Sequence, residues 1–383
     1  MGSPAAGSAR AVALDALRGI ALFGVLMVNL VEVFRVSVFE QSLPRVGPPR
    51  GTPLDHVVAS IVTSGLESKA LILFSLLFGA GLAAQEERVR ARAGSFARYA
   101  ARRLGALLAI GLVHLLLIWS GDILTLYAIV GLLAAPLLRL SSRVLFALAI
   151  TCFVVQVAPL PYPRAFETLE ALQLHVATAR LAYGAGTFGE ALSFRLHEVR
   201  PMAAVLVWSA PRTLGLFLLG ACAWRVDIFR TGASRGLLIP IAMVGVALGG
   251  LATAAVSADW ALGRGREVAW MWGAITLALG YGATILLAFR RPLLAATLAA
   301  FAPLGRMALT SYLTQSVVLS VLFYGWGFGL FGKVGEAPAA LLGLVIYGAQ
   351  LMFSAWWLRR NHFGPAEWLW RSFTYGSWQR QRR

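Results

Sequence analysis

The residues able to do chemistry in this chain are a few polar side chains set within long apolar runs. His114 lies ten residues into LGALLAIGLVHLLLIWSGDILTLYAIVGLLAAPLLRL, residues 104–140. At about 1.5 Å per residue, that is near the middle of a hydrocarbon layer about 30 Å thick. An ionisable group at that depth is costly and usually faces a bundle interior or an aqueous cavity, where a near-neutral imidazole can act as a general base or hold a substrate. The plainer alternative is a neutral histidine bonded to a carbonyl of a neighbouring helix. Asp122 follows eight residues later, about 12 Å along an unbroken helix. A direct pair would therefore need a break at Gly121, and the orienting partner of His114 is expected on another helix. Asp122 is expected to cap the next span, with catalysis as its second reading. Asn29, one of two asparagines in the chain, is the first candidate partner for His114 and a candidate oxyanion donor; an interhelical hydrogen bond is its other reading. Tyr312 and Gln315, three apart on one helix, share a face and are the second candidates.

Charged candidates fall into two groups. Arg212 follows Pro211, about ten residues from either end of its apolar run. A guanidinium there needs a carboxylate, carbonyls or water. Glu67 or Asp122 could neutralise it, as could an anionic substrate; Glu67 and Lys69 join it as candidate substrate-binding residues. Arg18, one helical turn after Asp15, stands at the mouth of the first run and can pair with it. Arg306 and the basic segment EERVRARAGSFARYAARR, residues 86–103, with Arg102 and Arg103 at its end, add cations that suit lipid or ligand phosphates.

The elements that must position these residues are membrane helices. Hydrophobic residues make up 58% of the 383 and charged residues 13%, which excludes a soluble globular domain. The formal net charge of +17 matches positive-inside topology and attraction to anionic head groups, so membrane lipids are the expected partners and nucleic acid is not. Cys152 and Cys222 sit in apolar runs and read as small hydrophobes, and no metal is expected.

Apolar windows of spanning length fall at 14–34, 57–85, 104–120, 122–140, 144–160, 203–223, 237–257, 269–289, 304–325 and 339–358. The fold class is therefore all-α, a polytopic bundle of about ten transmembrane helices. Glu67-Ser68-Lys69 interrupts the second window, so its true span should begin near Lys69. The first window carries no cleavage pattern and reads as a retained span. Residues 35–55, rich in Pro and Gly, should be an outer loop, and residues 161–200 one or two amphipathic helices at the interface, either covering an outward cavity or merely connecting spans. The chain divides into helices 14–140, a fifth span with the outer segment at 141–202, helices 203–358 and a basic aromatic tail at 359–383, within one membrane domain.

Several stretches together resemble the YeiB-like family (DUF418) of bacterial integral membrane proteins: LDALRGIALFGVLMVNL (14–30), FSLLFGAGLA (74–83), IGLVHLLLIWSGDILTLYAIVGLL (110–133), LGLFLLGA (214–221), PLGRMALTSYLTQSV (303–317) and FGPAEWLWRSFTYG (363–376). The first of these also resembles the transmembrane acyltransferases that include heparan-glucosaminide N-acetyltransferase. There, an Asn late in the first span and a His shortly after it are implicated in catalysis. Asn29 matches the Asn; residues 30–55 hold no His, and His56 is the nearest. The resemblance implies a bacterial inner-membrane enzyme that moves an acyl group from cytosolic acyl-CoA (acetyl-CoA) to a hydroxyl or amine of a sugar or envelope glycan. On that reading His114 is the base, Asn29 or Gln315 the oxyanion donor, and Arg18, Arg102, Arg103 and Arg306 the phosphate cations, while Tyr312 and Gln315 could hold the acceptor or the pantetheine arm. A transporter of a small anionic molecule explains the same intramembrane charges, and a second copy of the chain is a candidate partner. FSLLFGAGLA reads as close helix packing rather than a phosphate loop, because no strand precedes it.

With the N-terminus in the cytoplasm, 22 of the 34 Lys and Arg fall inside and ten outside, so both termini are expected to be cytoplasmic. Cysteines placed singly within residues 86–103 should be shielded from an impermeant thiol reagent in intact cells; ready labelling there would reverse the topology.

Overall fold

The computed structural model describes residues 4–44, 51–158, 164–229, 235–258 and 265–382. Each apolar window of the sequence falls on a helix. In order these are α1 (Pro4–Val28), α2 (Pro53–Ile61), α3 (Lys69–Ala91), α4 (Phe96–Val113), α5 (Leu124–Leu137), α6 (Ser142–Val157), α7 (Leu169–Gly184), α8 (Phe188–Arg225), α9 (Arg235–Ser257), α10 (Gly265–Ala288), α11 (Pro292–Ala299), α12 (Ala302–Arg306), α13 (Ala308–Phe323), α14 (Glu336–Arg360) and α15 (Pro365–Tyr375). Seven helices among the described residues are long and apolar enough to cross a membrane. Three shorter apolar ones, α5, α6 and α13, accompany them.

α1 runs through the centre, packed against α3, α12, α13 and α14, with Leu17, Leu22, Leu26 and Leu30 almost wholly buried. α3 and α8 approach closely because glycines remove side chains at the crossing: a Cβ on Gly79 would lie 2.0 Å from the Phe217 carbonyl oxygen, and one on Gly220 2.0 Å from that of Leu76. The Gly-rich stretch FSLLFGAGLA is thus a packing surface, as expected of small residues in apolar helices.

Three helices widen into π turns at Asn29–Phe34, Val62–Leu66 and His114–Ile118. Each such turn shifts the register of the side chains beyond it, a distortion common at functional sites. After the second turn, Ser68 at φ 61° breaks the chain, so that α3 begins at Lys69, as the interrupting charges predict. After the third, the chain is extended at Trp119 and α5 begins only at Leu124. α5 has 14 residues, about 21 Å, which is shorter than a hydrocarbon layer about 30 Å thick. The hairpin between α4 and α5 therefore turns inside protein, with Trp119, Ser120 and Asp122 all buried.

The structure corrects the reading of the 161–200 segment. Its first part is α7, but its second is continuous with the following span. α8 is one helix of 38 residues starting at Phe188, opened by a Thr187–Glu190 capping box. The run at 304–325 is likewise split, at Met307 between α12 and α13.

A larger side chain at the α3–α8 crossing should destabilise the bundle. Gly79→Leu is expected to lower the unfolding midpoint in detergent by the equivalent of about 1–3 kcal/mol or more. Gly250→Ala, whose Cβ meets nothing within 4 Å, should leave it unchanged or raised.

Candidate functional site

The α4–α5 hairpin brings together two residues that an unbroken helix would hold apart. His114 Nδ1 lies 2.8 Å from Asp122 Oδ1, with both side chains fully buried. Asp122 also accepts the backbone N–H groups of Leu124 at 3.1 Å and Thr125 at 2.7 Å, so it caps α5 and faces the positive end of that helix dipole. A carboxylate that only accepts assigns the imidazole proton to Nδ1. Nε2 then carries the lone pair, and it has no hydrogen-bond partner among the described residues. This is the arrangement a general base requires: one nitrogen oriented by a carboxylate, the other free to take a proton.

Surrounding residues hold the hairpin's shape. A Cβ on Gly121 would lie 2.3 Å from the Trp119 ring, so only glycine lets the tip fold under that indole. Trp119 stacks on Phe34 at 4.3 Å between centroids and meets the His114 ring edge-on at 6.3 Å. Carbonyls loosened by the π turn find donors from other helices: Arg195 Nη1 reaches Leu116 O at 3.5 Å and Ser320 Oγ reaches Ile118 O at 3.3 Å. Arg195 in turn belongs to a buried layer formed by α7 and α8. Glu198 there accepts from the Tyr183 hydroxyl and lies 3.1 Å from His175 Nε2.

Tyr312 of α13 separates this dyad from a large cavity. Its ring is 5.1 Å from the His114 ring, and its hydroxyl accepts from Ile123 N at 3.4 Å. The cavity, of about 800 Å³, has Tyr312, Ile123, Leu124 and Tyr127 among its lining residues. Apolar side chains of α1, α3 and α4, including Leu22, Phe78 and Leu107, wall it. Arg18, Arg88, Arg103, Arg306 and Arg371 also line it; Arg18, Arg306 and Arg371 are grouped about Asp15 at an arginine-rich end, where Arg18 pairs with Asp15 at 2.8 Å.

The chain's last helix closes one side of that arginine-rich end. Trp370 of α15 donates to the Arg103 carbonyl at 2.7 Å and lies under the Arg103 guanidinium at 3.7 Å. Glu367 is buried and accepts from the N–H groups of Leu309 at 2.7 Å and Thr310 at 3.1 Å and from the Thr310 hydroxyl. It caps α13 from a helix more than fifty residues away. Burial pushes its carboxyl above the ordinary glutamic acid value, with the Thr310 hydrogen bonds opposing.

Several expected placements change. The partner of His114 is Asp122, not Asn29, Gln315 or Tyr312, because the π turn and the extended Trp119 supply the break that the spacing demanded. Asn29 begins the first π turn, whose last residue, Phe34, stacks on Trp119. Gln315 turns away from Tyr312 and donates to Gln350 Oε1 at 2.7 Å. Arg102 is exposed and outside the cavity lining, whereas Arg18, Arg103 and Arg306 line it. Asp122 is spent on His114 and does not neutralise Arg212. Glu67 interacts with both Lys69 and Arg212, and these three lie apart from the dyad and the cavity lining. His362, in the tail, is exposed and lines the cavity. Glu367, Tyr127 and Arg371 were not singled out from sequence; the only signal for Glu367 was its place just after Gly364-Pro365, the opening of a helix.

Comparison with known proteins places the chain. Over 384 aligned residues it is 31% identical to "Uncharacterized protein YxaH" of Bacillus subtilis (strain 168), covering 96% of this chain and 94% of that protein. Residues 223–377 match the family described as "Protein of unknown function (DUF418)". The chain belongs to the YeiB-like DUF418 family. It is 30% identical to "Uncharacterized protein YeiB" of Escherichia coli (strain K12), over 95% of this chain and 96% of that one. A protein from Bacillus acidopullulyticus, printed as "Uncharacterized 39.9 kDa protein in amylase 3'region", is 28% identical over 94% of the chain. The segment matched by the DUF418 family holds Arg306, Tyr312 and Glu367; the His114–Asp122 hairpin precedes it.

A raised carboxyl value means that Glu367 favours the docked tail when protonated. Its contribution is full below the ordinary glutamic acid value and falls as pH rises through the raised one. Hydrogen-exchange protection of α15 should therefore decline with rising pH in the parent. In Glu367→Gln, which is neutral throughout, protection should be flat, and an unchanged pH response would remove Glu367 from this role.

Proposed function

We propose that this DUF418 protein is a membrane-embedded acyltransferase that takes an acyl group from acyl-CoA and passes it to a hydroxyl or amine of a sugar or envelope glycan in the bacterial cytoplasmic membrane. The observation that carries the reading is the cavity. It has arginines at one end, apolar walls, and Tyr312 between it and a buried histidine whose Nδ1 is held by a carboxylate and whose Nε2 is free. A phosphate-rich, narrow, apolar-armed thioester is the donor chemistry that suits such a cavity. Arg18, Arg88, Arg103, Arg306 and Arg371 would meet the phosphates, and the apolar wall the pantetheine arm. The basic end would face the cytoplasm, as the distribution of arginines along the sequence favours.

The chemistry follows from the free nitrogen. His114 Nε2 removes the proton from the acceptor hydroxyl or amine as that atom attacks the thioester carbonyl. Asp122 keeps the proton on Nδ1 and stabilises the imidazolium that forms. When the tetrahedral intermediate collapses, the C–S bond breaks and the proton on Nε2 passes to the departing thiolate. Atoms and charge balance, and the base is regenerated. Tyr312, which lines the cavity with its ring 5.1 Å from that of His114, would offer its hydroxyl to the developing oxyanion. Such a step requires Tyr312 to yield some of its cover over His114 when the donor enters.

Replacing His114 by Ala should lower acyl transfer by about a hundredfold or more, the usual scale for a lost general base, while stabilisation by acetyl-CoA in a thermal-shift assay is retained. Asp122→Asn should also lower transfer, by removing the acceptor that sets the tautomer. Parental transfer rates in His114→Ala would refute the assignment. Flux of a small anion into proteoliposomes without any CoA would favour transport instead.

A further inference from the structure

A second group of buried charges lies where the start of α3 approaches the middle of α8. The backbone at Ser68 occupies positive φ, costly for a residue with a side chain, and on either side of it stand the half-buried Glu67 and the buried Lys69. Lys69 Nζ has the Thr63 carbonyl at 3.5 Å. Arg212, the residue after Pro211 within α8, has its backbone N–H on Gln156 Oε1 at 3.3 Å. Its guanidinium carbon lies 5.8 Å from the Trp208 ring and 5.6 Å from the Trp270 ring. Arg212 Nη1 and Gln156 Nε2 are both buried and have no hydrogen-bond partner among the described residues.

Glu67 is the carboxylate that interacts with both cations, so at the formal charges of the three side chains two positive charges share one negative charge. In apolar surroundings an unpaired donor and an unneutralised charge are each expensive, and such groups mark ligand or ion pathways. A single bound oxyanion would answer both. It would restore neutrality and accept from the guanidinium fork, whose planar donors suit phosphate and carboxylate oxygens. The surroundings indicate where it comes from. Trp208 is 38% exposed and Val207 50% exposed on an apolar stretch of α8, so the aromatic pair over Arg212 adjoins the surface that lipid covers. Indoles prefer the membrane interface, where head groups lie, and Trp208 stands five residues, about 8 Å, inside one end of the 203–223 apolar run.

We propose that Arg212, with Gln156 and Lys69, forms a binding site for a singly charged phosphate oxyanion reached from the bilayer side, the chemistry of a phosphodiester head group on a membrane-borne ligand. Glu67 is the built-in competitor that lowers the site's positive charge. The site shares no residue with the lining of the large cavity. It does not depend on the acyl-transfer reading.

The full chain would be purified in an uncharged maltoside detergent, which carries no phosphate, and its unfolding midpoint followed while phosphatidylglycerol is added as mixed micelles or inorganic phosphate is titrated. Saturable stabilisation by phosphatidylglycerol assigns the oxyanion to a lipid, and stabilisation by phosphate alone assigns it to a free ion. Arg212→Gln should abolish the response. Glu67→Gln should strengthen it, tightening apparent binding on the order of tenfold, because the competing carboxylate is gone. If Arg212→Gln does not fold, Glu67→Gln decides the matter, since a purely structural ion pair would not tighten anion binding when broken. The proposal is overturned if neither probe stabilises the parent, or if the variants that fold respond as the parent does.

Discussion

The structure depends on one carboxylate performing two tasks. Asp122 holds the first backbone N–H groups of α5 and the Nδ1 of His114 at the same time. Non-helical backbone among apolar helices is tolerated only when its polar groups are satisfied inside protein. With Asp122 in place, α5 can start deep within the bundle, the hairpin can turn there, and the imidazole has one defined orientation. Without it, two helix-end donors and a buried histidine would all lose their acceptor, each at a cost of about 1–3 kcal/mol.

The same economy recurs at the other end of the cavity. Glu367 caps α13 from the tail helix rather than from the residue preceding α13. Helix N-termini attract anions, and here the protein supplies its own. The consequence is that α15 is docked by a polar contact as well as by Trp370 on Arg103. The wall of the cavity is therefore tied to the N-terminus of the helix that carries Tyr312 towards His114.

Buried charge is distributed unevenly. The carboxylates of Asp122, Glu198 and Glu367 have their hydrogen bonds met within the protein. Among the described residues, His114 Nε2, Arg195 Nε, Arg212 Nη1 and Gln156 Nε2 stand without partners, and of these Arg212 and Gln156 adjoin one another. Natural proteins tolerate such a deficit where something outside the fold makes it good.

Composition and apolar periodicity alone determined that this is an all-helical membrane bundle, where most of its apolar helices lie, that Lys69 opens a helix after a break, and that Asp122 caps one. Those are local properties: apolar length, charge placement and capping chemistry depend on neighbours in sequence. The order of short motifs along the chain also pointed to its family. The His114–Asp122 pair could not be read the same way. Eight residues of ideal helix separate the two by about 12 Å, and only a π turn stabilised by Arg195 and Ser320 from other helices, with Trp119 packed on Phe34, closes that distance to 2.8 Å. Glu367 on α13, Gln315 on Gln350 and Tyr312 over the imidazole are likewise pairings between distant segments. A hydrophobic pattern says that a face is buried, but not against what. Which polar groups meet is decided by how the helices pack, and in this protein that packing makes the site.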